Sequence, residues 1–516
     1  MSSRTALIVT LGALAVGAHL RYQGLETHDA WADEGISWTI HQSVDPVQTV
    51  RRDANGEPPL FHALLRLTAP TGARLGRLRL VPAACGVLTL LLWSGLLWRT
   101  LGPRAAAIGT PMLALSAFHV FYSQELRAYA LLALLGAVVF FLLLELARRG
   151  RLAAVGWVLL AVAEALLVYA HYLSVFFLFG LAVAVLSSAR LRASAGPWTI
   201  CQLAGAAMVA PWVSVMAGCY LGAEQARMIV DVQPHRDTLA PLAILVLGRS
   251  VVPGSEGALS PLAWGAIGLA GLLALGFLTC GAHALHRRAR GVEALLAVCA
   301  VALPIAALVA FSLAVVPAFN YIHTKYAIWA LVPLLWLGTA WLDYLVEHGS
   351  ARIALLLFLT YAAVNGWGVW NYRHNPEYLK APAYRELAER LEGAVRPGDE
   401  VVYDWLGTAQ ALDPVLAARP GLGETPRALL AFWNDGEPLV QYGASCLDAR
   451  RHRPRPCGGR RVWLVLFHDW RARSDEGFEK FRIRLARQAE SLTDSDWQRG
   501  PRLSVRGLDV ICLERR

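Results

Sequence analysis

Residues 5–37, TALIVTLGALAVGAHLRYQGLETHDAWADEGIS, join an apolar stretch long enough to cross a membrane to a cluster of ionisable side chains. The cluster runs from His28 to Glu34 and lies where the chain is expected to leave the lipid. An acidic pair at such a boundary can have a raised pKa, and it can hold a proton or a metal ion. The stretch therefore predicts a membrane protein with a functional site at the end of its first span.

The composition of the whole chain also indicates a membrane protein. Of 516 residues, 56% are hydrophobic and 17% are charged, whereas soluble domains have roughly 25% charged residues. Apolar blocks near the ~20 residues that cross a bilayer predict about eleven transmembrane helices. They cover approximately residues 5–22, 79–98, 104–121, 127–147, 152–170, 172–190, 197–217, 259–285, 292–316, 325–346 and 351–370.

Basic residues predict the orientation of these spans. The short loops after the second, fourth, sixth, eighth and tenth spans carry arginines, which places those loops in the cytoplasm. The acidic cluster and the C-terminal tail then lie together on the outer side. Arg74, Arg77 and Arg79 fall on the outer side too, against the rule, unless they serve an anionic ligand.

From about residue 371 the sequence becomes polar and rich in arginine, proline and glycine. A helix-like segment, YRELAERLEGAV, precedes the turn signal RPGD and the strand-like segments EVVYDW, RVWLVLF and LDVICL. We therefore predict an α-helical polytopic membrane domain over residues 1–370, with a first external loop of about residues 23–78, and a small α/β domain over residues 371–516. Cys446 and Cys457 lie in this external domain. The sequence is compatible with a disulfide between them and equally with two free thiols.

Five segments, in this order, resemble motifs of the GT-C membrane glycosyltransferases: WADEGIS, NGEPPLFHALLRL, FYSQELRAYALLAL, YAHYLSVF and PAFNYIHTKYAIWALVPLLWL. The similarity is to the bacterial relatives of the protein O-mannosyltransferases and of the lipid A aminoarabinose transferase. The resemblance implies an inverting transfer of a sugar from a polyprenyl-phosphate donor to a hydroxyl or amine of a lipid, glycan or protein of the cell envelope. It also implies a place in the bacterial inner membrane, with the active site and the C-terminal domain outside the cytoplasm.

The implied reaction needs a base, because the acceptor loses a proton as it attacks. Asp33 matches the Asp of the family's Asp-Glu pair, so the resemblance assigns it as the catalytic base, with Glu34 as a metal ligand or a brace for the first loop. The pattern requires no cofactor, but these two carboxylates suit Mg²⁺ or Mn²⁺, and Zn²⁺ would recruit His28 or His62 as well. Asp33 alternatively serves as the N-cap of a helix that begins at GISWTIHQ.

Cations must neutralise the charge that builds on the donor phosphate as its bond to the sugar breaks. Arg127 lies at the outer end of a predicted span, and Lys325 with Tyr326 resembles the Arg-Tyr pair of the family at the mouth of a late span. The resemblance implies that Arg127, Lys325 and Tyr326 bind the donor phosphate. Lys325 would do so with a compact ammonium where the family has the guanidinium of an arginine. For Arg127 the alternatives are an ion pair with Glu125 and snorkelling to the interface.

Five further residues are candidates for substrate binding: Glu57, Tyr122, Tyr129, His171 and Tyr172. Glu57 precedes two prolines that suit the first turn of a helix, at a position where related sequences commonly have a polar residue or histidine. The tyrosines also suit a membrane interface without any function, and His171 also suits a buried structural position.

Two other function classes stay open from the sequence. A lipid-linked glycan ligase or polymerase would use a pyrophosphate donor and would usually place its basic residues in a late external loop. A flippase or other membrane transporter would place ionisable residues at mid-membrane, where the sequence has mainly Glu145 and Glu164. Nucleic-acid binding is not indicated, because the net charge of +10 comes mostly from loop and tail arginines and suits anionic lipid headgroups.

Overall fold

The structure is a computed structural model that describes residues 1–43, 57–221, 245–246, 261–315, 324–375, 381–404, 406–434, 437–442, 455–456, 460–467 and 497–516. His323, Cys446 and Cys457 lie outside these residues. A helical unit is followed by a smaller unit built around a β-sheet.

The helical unit runs to His374. Its helices are α1 (Ser3–Tyr22), α2 (Ala32–Gln42), α3 (Pro59–Thr68), α4 (Leu75–Thr100), α5 (Pro103–Leu115), α6 (Ala117–Ser123), α7 (Tyr129–Arg149), α8 (Ala154–Ala170), α9 (Val175–Ser187), α10 (Ala189–Arg192), α11 (Ala195–Leu221), α12 (Pro261–Arg287), α13 (Gly291–Val315), α14 (Leu331–Glu347) and α15 (Ala351–His374). Short 3₁₀ turns at Tyr172–Ser174 and Thr324–Ala330 precede α9 and α14.

The chain is an integral membrane protein. Within the described residues, eight helices are long and apolar enough to cross a membrane, and a ninth span results if the bent pair α5 and α6 counts as one. Every predicted apolar segment is helical, because a helix satisfies its own backbone hydrogen bonds in lipid. However, α8 and α9 have only 17 and 13 residues, fewer than the ~20 residues that typically cross a bilayer. The predicted count of about eleven spans is therefore not confirmed.

The chain bends by 56° between α5 and α6, at Ser116. Such a break leaves carbonyl and amide groups without helical partners. The fully buried Arg21 of α1 donates to two of the last carbonyls of α5 at 2.9 and 3.2 Å. The side chain of Asn365 in α15 accepts from the first amide of α6 at 2.9 Å. Groups from two other helices thus fix the bend.

The helix ends far from the acidic cluster are basic. Arg99, at the end of α4, pairs with Glu145 near the end of α7 at 2.8 Å. Arg104 and Arg288 pair with the buried Asp343 of α14 at 2.5 and 3.0 Å. Glu145 therefore lies at a helix end, where arginine neutralises it, and the expectation of a mid-membrane position for this residue is wrong.

The C-terminal unit contains helices α16 (Tyr384–Glu392) and α17 (Leu406–Ala417) and strands β1 (Glu400–Tyr403), β2 (Arg427–Asn434), β3 (Glu437–Tyr442), β4 (Arg455–Pro456), β5 (Arg461–Phe467), β6 (Trp497–Val505) and β7 (Leu508–Arg515). The strand order is β4-β3-β2-β1-β5-β7-β6, with β1 parallel to both neighbours and the other pairs antiparallel. The predicted strand segments are β1, β5 and β7, which lie side by side. They are apolar because both faces of the sheet are buried there: Val401 faces α16 and α17, while Val402 packs with Trp497 on the other face.

The C-terminal unit packs against the first loop of the helical unit. At Gly35, α2 and α17 approach so closely that a Cβ atom would lie 2.6 Å from the carbonyl carbon of Gln410. Arg385 of α16 pairs with Asp29 at 2.5 Å and donates to two carbonyls of the same loop at 2.8 and 2.7 Å. The sheet domain and the acidic cluster therefore lie on the same side of the helical bundle.

Candidate active site

Helix α2 carries Asp33 and Glu34 in its first turn. Acidic side chains are favourable there because the N-terminal end of a helix has a partial positive charge. The helix begins at Ala32, not at Gly35, and Trp31 is its N-cap, so the alternative role of Asp33 as an N-cap is wrong. Consecutive helical residues point about 100° apart, which sends the two carboxylates to different partners.

Asp33 faces Lys325, which lies in the 3₁₀ turn before α14. The Lys325 Nζ atom donates to Asp33 Oδ2 at 2.9 Å, and the two side chains are 10% and 24% exposed. The ring centroids of Trp31, Tyr129 and Tyr326 lie 5.3, 5.6 and 5.3 Å from the same Nζ atom. Aromatic faces attract cations, so the rings and the carboxylate together stabilise the ammonium.

Arg127 holds the opposite side of Asp33. Its guanidinium donates to the main-chain oxygen of Asp33 at 3.1 Å and to the Ser37 hydroxyl at 3.3 Å, and it forms an ion pair with Glu57. The other Glu57 oxygen is 2.9 Å from His62 Nε2. Burial raises the pKa of Glu57, but Arg127 and His62 outweigh that effect and lower the pKa from 4.5 to about 2. Glu57 is therefore a permanent anion between two basic groups.

Glu125 does not form the ion pair with Arg127 that the sequence left as an alternative. The Trp31 indole nitrogen donates to Glu125 Oε1 at 2.6 Å. The ion pair expected between Arg127 and Glu125 is therefore wrong, because Arg127 pairs with Glu57 instead. Since Arg127 already binds a carboxylate and a main-chain oxygen, its part in binding a donor phosphate stays a prediction.

Glu34 forms a buried ion pair with Arg79 on the other face of α2. Arg79 Nε and Nη2 donate to the two Glu34 oxygens at 2.8 and 2.7 Å, and the Leu126 amide donates to Glu34 Oε1 at 2.7 Å. Arg79 also donates to the carbonyls of Leu25 and His28, both at 2.8 Å. This geometry is that of a brace for the first loop, which is one of the two roles expected of Glu34. It also explains why Arg79 lies on the outer side of the bundle.

The Asp33 and Glu34 carboxylates both bind basic side chains in this structure. Arg79 contacts both Glu34 oxygens, and Lys325 contacts Asp33. In the part of the chain that the structure describes, no three His, Cys, Asp or Glu side chains are grouped to hold an ion. A requirement for Mg²⁺ or Mn²⁺ stays a prediction from the sequence.

Aromatic rings line the same space beside Lys325. The His171 ring centroid lies 4.8 Å from that of Tyr326, and the Tyr129 centroid lies 6.3 Å from Tyr326 and 5.1 Å from Tyr122. Burial and the nearby charge of Arg127 lower the pKa of His171 from 6.5 to about 3, which keeps this imidazole neutral. The rings form one wall of the site.

Most of the predicted residues form one connected site. It contains Asp33, Glu57, Tyr122, Arg127, Tyr129, His171, Lys325 and Tyr326. Glu34 lies on the other face of α2, and the Tyr172 hydroxyl accepts from the Trp212 indole of α11 at 2.7 Å. Trp31, Ser37 and Arg79 were not predicted as site residues, although Trp31 and Ser37 belong to the quoted WADEGIS segment. Trp212 gave no signal in the sequence.

A cavity of about 60 Å³ lies behind Trp31, where the helical and C-terminal units meet. His28, Glu125, Tyr372 and Arg506 are among its lining residues. Its volume suits a few water molecules.

No family model matches the sequence, and no curated protein matches it. Solved structures do match. ArnT from Cupriavidus metallidurans in the apo state aligns with a TM-score of 0.60 at 15% sequence identity, over 99% of this chain and 98% of that chain. ArnT from the same organism bound to undecaprenyl phosphate aligns with a TM-score of 0.58 at 13% identity, over 99% and 98% of the two chains.

The Archaeoglobus fulgidus oligosaccharyltransferase in complex with Zn and sulfate aligns with a TM-score of 0.50 at 12% identity, over 89% of this chain and 68% of that chain. These proteins are GT-C glycosyltransferases, and the chain has their fold, as the five sequence segments indicated. At such identities the similarity shows the fold, so the function has to be argued from the site.

Proposed function

We propose that this chain, which has the GT-C fold, is an inverting glycosyltransferase that moves a sugar from a polyprenyl-phosphate-linked donor to an acceptor hydroxyl or amine. The observation that carries the proposal is the contact of Asp33 and Lys325, whose charged atoms are 2.9 Å apart at the end of a membrane helix. This pair places a base for the acceptor and a cation for the phosphate in one site. ArnT, which has the same fold, binds undecaprenyl phosphate.

Inversion requires a single displacement at the anomeric carbon. The acceptor oxygen or nitrogen attacks this carbon as the bond from the carbon to the phosphate oxygen breaks, and the polyprenyl phosphate leaves with the bonding electron pair. Asp33 accepts the proton that the acceptor loses, and Lys325 neutralises the charge on the leaving phosphate.

The neighbouring residues position these two groups. Arg127 fixes the main chain of Asp33, and the ion pair of Glu34 and Arg79 fixes the start of α2. Holding the base before the substrates arrive removes part of the entropic barrier to reaction. Of the rings beside Lys325, those of His171 and Tyr326 are half-buried and are available to pack against the sugar.

The charge distribution supports a site outside the cytoplasm of a bacterial inner membrane. The arginine-rich helix ends lie opposite to Asp33, and basic ends favour the cytoplasmic side. The acceptor would then be a lipid, glycan or protein of the cell envelope.

Mass spectrometry of lipids that co-purify with the protein tests this proposal. We expect a polyprenyl monophosphate that carries one sugar. In liposomes, the purified protein should release polyprenyl phosphate from that donor when a membrane extract supplies the acceptor. A bound polyprenyl pyrophosphate would favour a glycan ligase or polymerase, and lipid translocation without cleavage of the sugar–phosphate bond would favour a flippase.

A further inference from the structure

The ion pair of Lys325 and Asp33 has a consequence for catalysis. Lys325 Nζ lies 2.9 Å from Asp33 Oδ2, and both side chains are mostly buried. An ammonium that binds this oxygen opposes transfer of the acceptor's proton to it, because it stabilises the charge of the carboxylate. The structure therefore shows the base in a contact that lowers its reactivity.

Arg127, a second cation near Asp33, is held in place by several partners. Arg127 binds Glu57, the Ser37 hydroxyl and the main chain of Asp33. Arg127 and Tyr129 also act electrostatically on Asp33 from the loop after α6 and from α7. A compact ammonium on a flexible stem can turn to a new anion more easily than a guanidinium with several partners.

Breaking a partly buried ion pair without a replacement anion is unfavourable. A phosphate that enters beside Lys325 supplies that anion, so the ammonium keeps a charged partner while it leaves the carboxylate. Asp33 and the donor phosphate are then alternative partners of one cation.

We propose that the donor phosphate takes Lys325 from Asp33, so that donor binding releases the base and must precede productive acceptor binding. The proposal rests on the proposed function, since it needs a phosphate-linked lipid donor at this site. It adds a regulatory step: without a bound donor, Asp33 stays paired and does not accept a proton from water or from an acceptor.

Binding of undecaprenyl phosphate to four proteins tests this competition. They are the parent, Asp33→Asn, Lys325→Gln and the double variant, measured by titration in detergent with size-exclusion profiles as a check on folding. Asp33→Asn should bind the lipid about tenfold more tightly, which corresponds to about 1.4 kcal/mol, because the phosphate no longer competes with a carboxylate for Lys325. In the Lys325→Gln background the same change should give no gain.

Asp29→Asn is the matched control, because it removes the same charge four residues earlier in the chain, from a carboxylate that contacts Arg385 instead of Lys325. It should leave the affinity unchanged. The proposed competition is overturned if Asp33→Asn raises the lipid affinity equally in the parent and in the Lys325→Gln background, or if it does not raise the affinity at all. Neither result contradicts the proposal that the donor is a lipid phosphate. If the parent does not bind undecaprenyl phosphate, both this inference and the proposed donor are wrong.

Discussion

Gly35→Ala should slow sugar transfer strongly although residue 35 touches no substrate. A Cβ at this position would lie 2.6 Å from the carbonyl carbon of Gln410 and 2.7 Å from the amide nitrogen of Ala411. These are main-chain atoms of α17 and cannot rotate away, so α2 has to shift by on the order of 1 Å, and such overpacking costs about 1–3 kcal/mol. Asp33 is two residues from Gly35 on the same helix, and a displacement of about 1 Å can slow a reaction on the order of 10²-fold.

The assay is the initial rate of transfer from the polyprenyl-phosphate sugar identified by mass spectrometry, at saturating donor, together with the affinity for undecaprenyl phosphate. We expect a large loss of rate without a loss of donor affinity, because the donor phosphate binds Lys325 on another element, and a weaker contact of Lys325 with Asp33 favours the phosphate. Gly95→Ala is the control, since Gly95 lies in α4 with nothing within 4 Å of its Cβ position. A Gly35→Ala protein that transfers sugar at the parent rate would refute this reasoning.

Three further predictions follow from the charged groups. Glu34→Gln should lower the thermal unfolding temperature, because loss of one partner of the buried pair with Arg79 costs about 3–5 kcal/mol; recovery of activity on addition of Mn²⁺ or Mg²⁺ would instead indicate a metal ligand. Burial and Arg79 lower the pKa of His28 from 6.5 to about 4, so the unfolded chain binds more protons and stability falls as the pH drops through that window. His28→Asn should weaken the dependence of the unfolding temperature on pH between pH 6.5 and 4. An equally steep dependence in the variant would contradict the assignment of this effect to His28. Lys325→Arg should keep affinity for undecaprenyl phosphate, since guanidinium also binds phosphate, whereas Lys325→Gln should weaken it; an equal loss in both variants would show that the shape of lysine is needed.

The membrane helices could be predicted because their signal is local. An apolar block of sufficient length forms a helix in lipid whatever its neighbours are. The bend at Ser116 had no such signal, because it depends on Arg21 and Asn365, which come from distant parts of the chain. The start of α2 was missed because Glu34 and Asp33 are stabilised in a first turn by partners that only the tertiary structure supplies.

Individual site residues could be predicted, but their pairing could not. Asp33 and Lys325 are each expected from the motifs to act on a substrate, but no local pattern indicates a contact between two residues 292 positions apart. Arg127 was given a neighbouring acid as its alternative partner, whereas the fold brings Glu57 to it and leaves Glu125 to Trp31. The resemblance to the family identified single site residues by their motifs. Their contacts depend on how α2 packs against the bundle, which no motif encodes.

The most direct test of the central claim is the transfer rate of Asp33→Asn at saturating donor. The substitution keeps the side-chain size and removes the proton acceptor, and general-base catalysis contributes typically ~10²–10⁴-fold. We expect the rate to fall by at least about 10²-fold while undecaprenyl phosphate still binds. A variant that binds the lipid and retains more than about a tenth of the parent rate would contradict the assignment of Asp33 as the base.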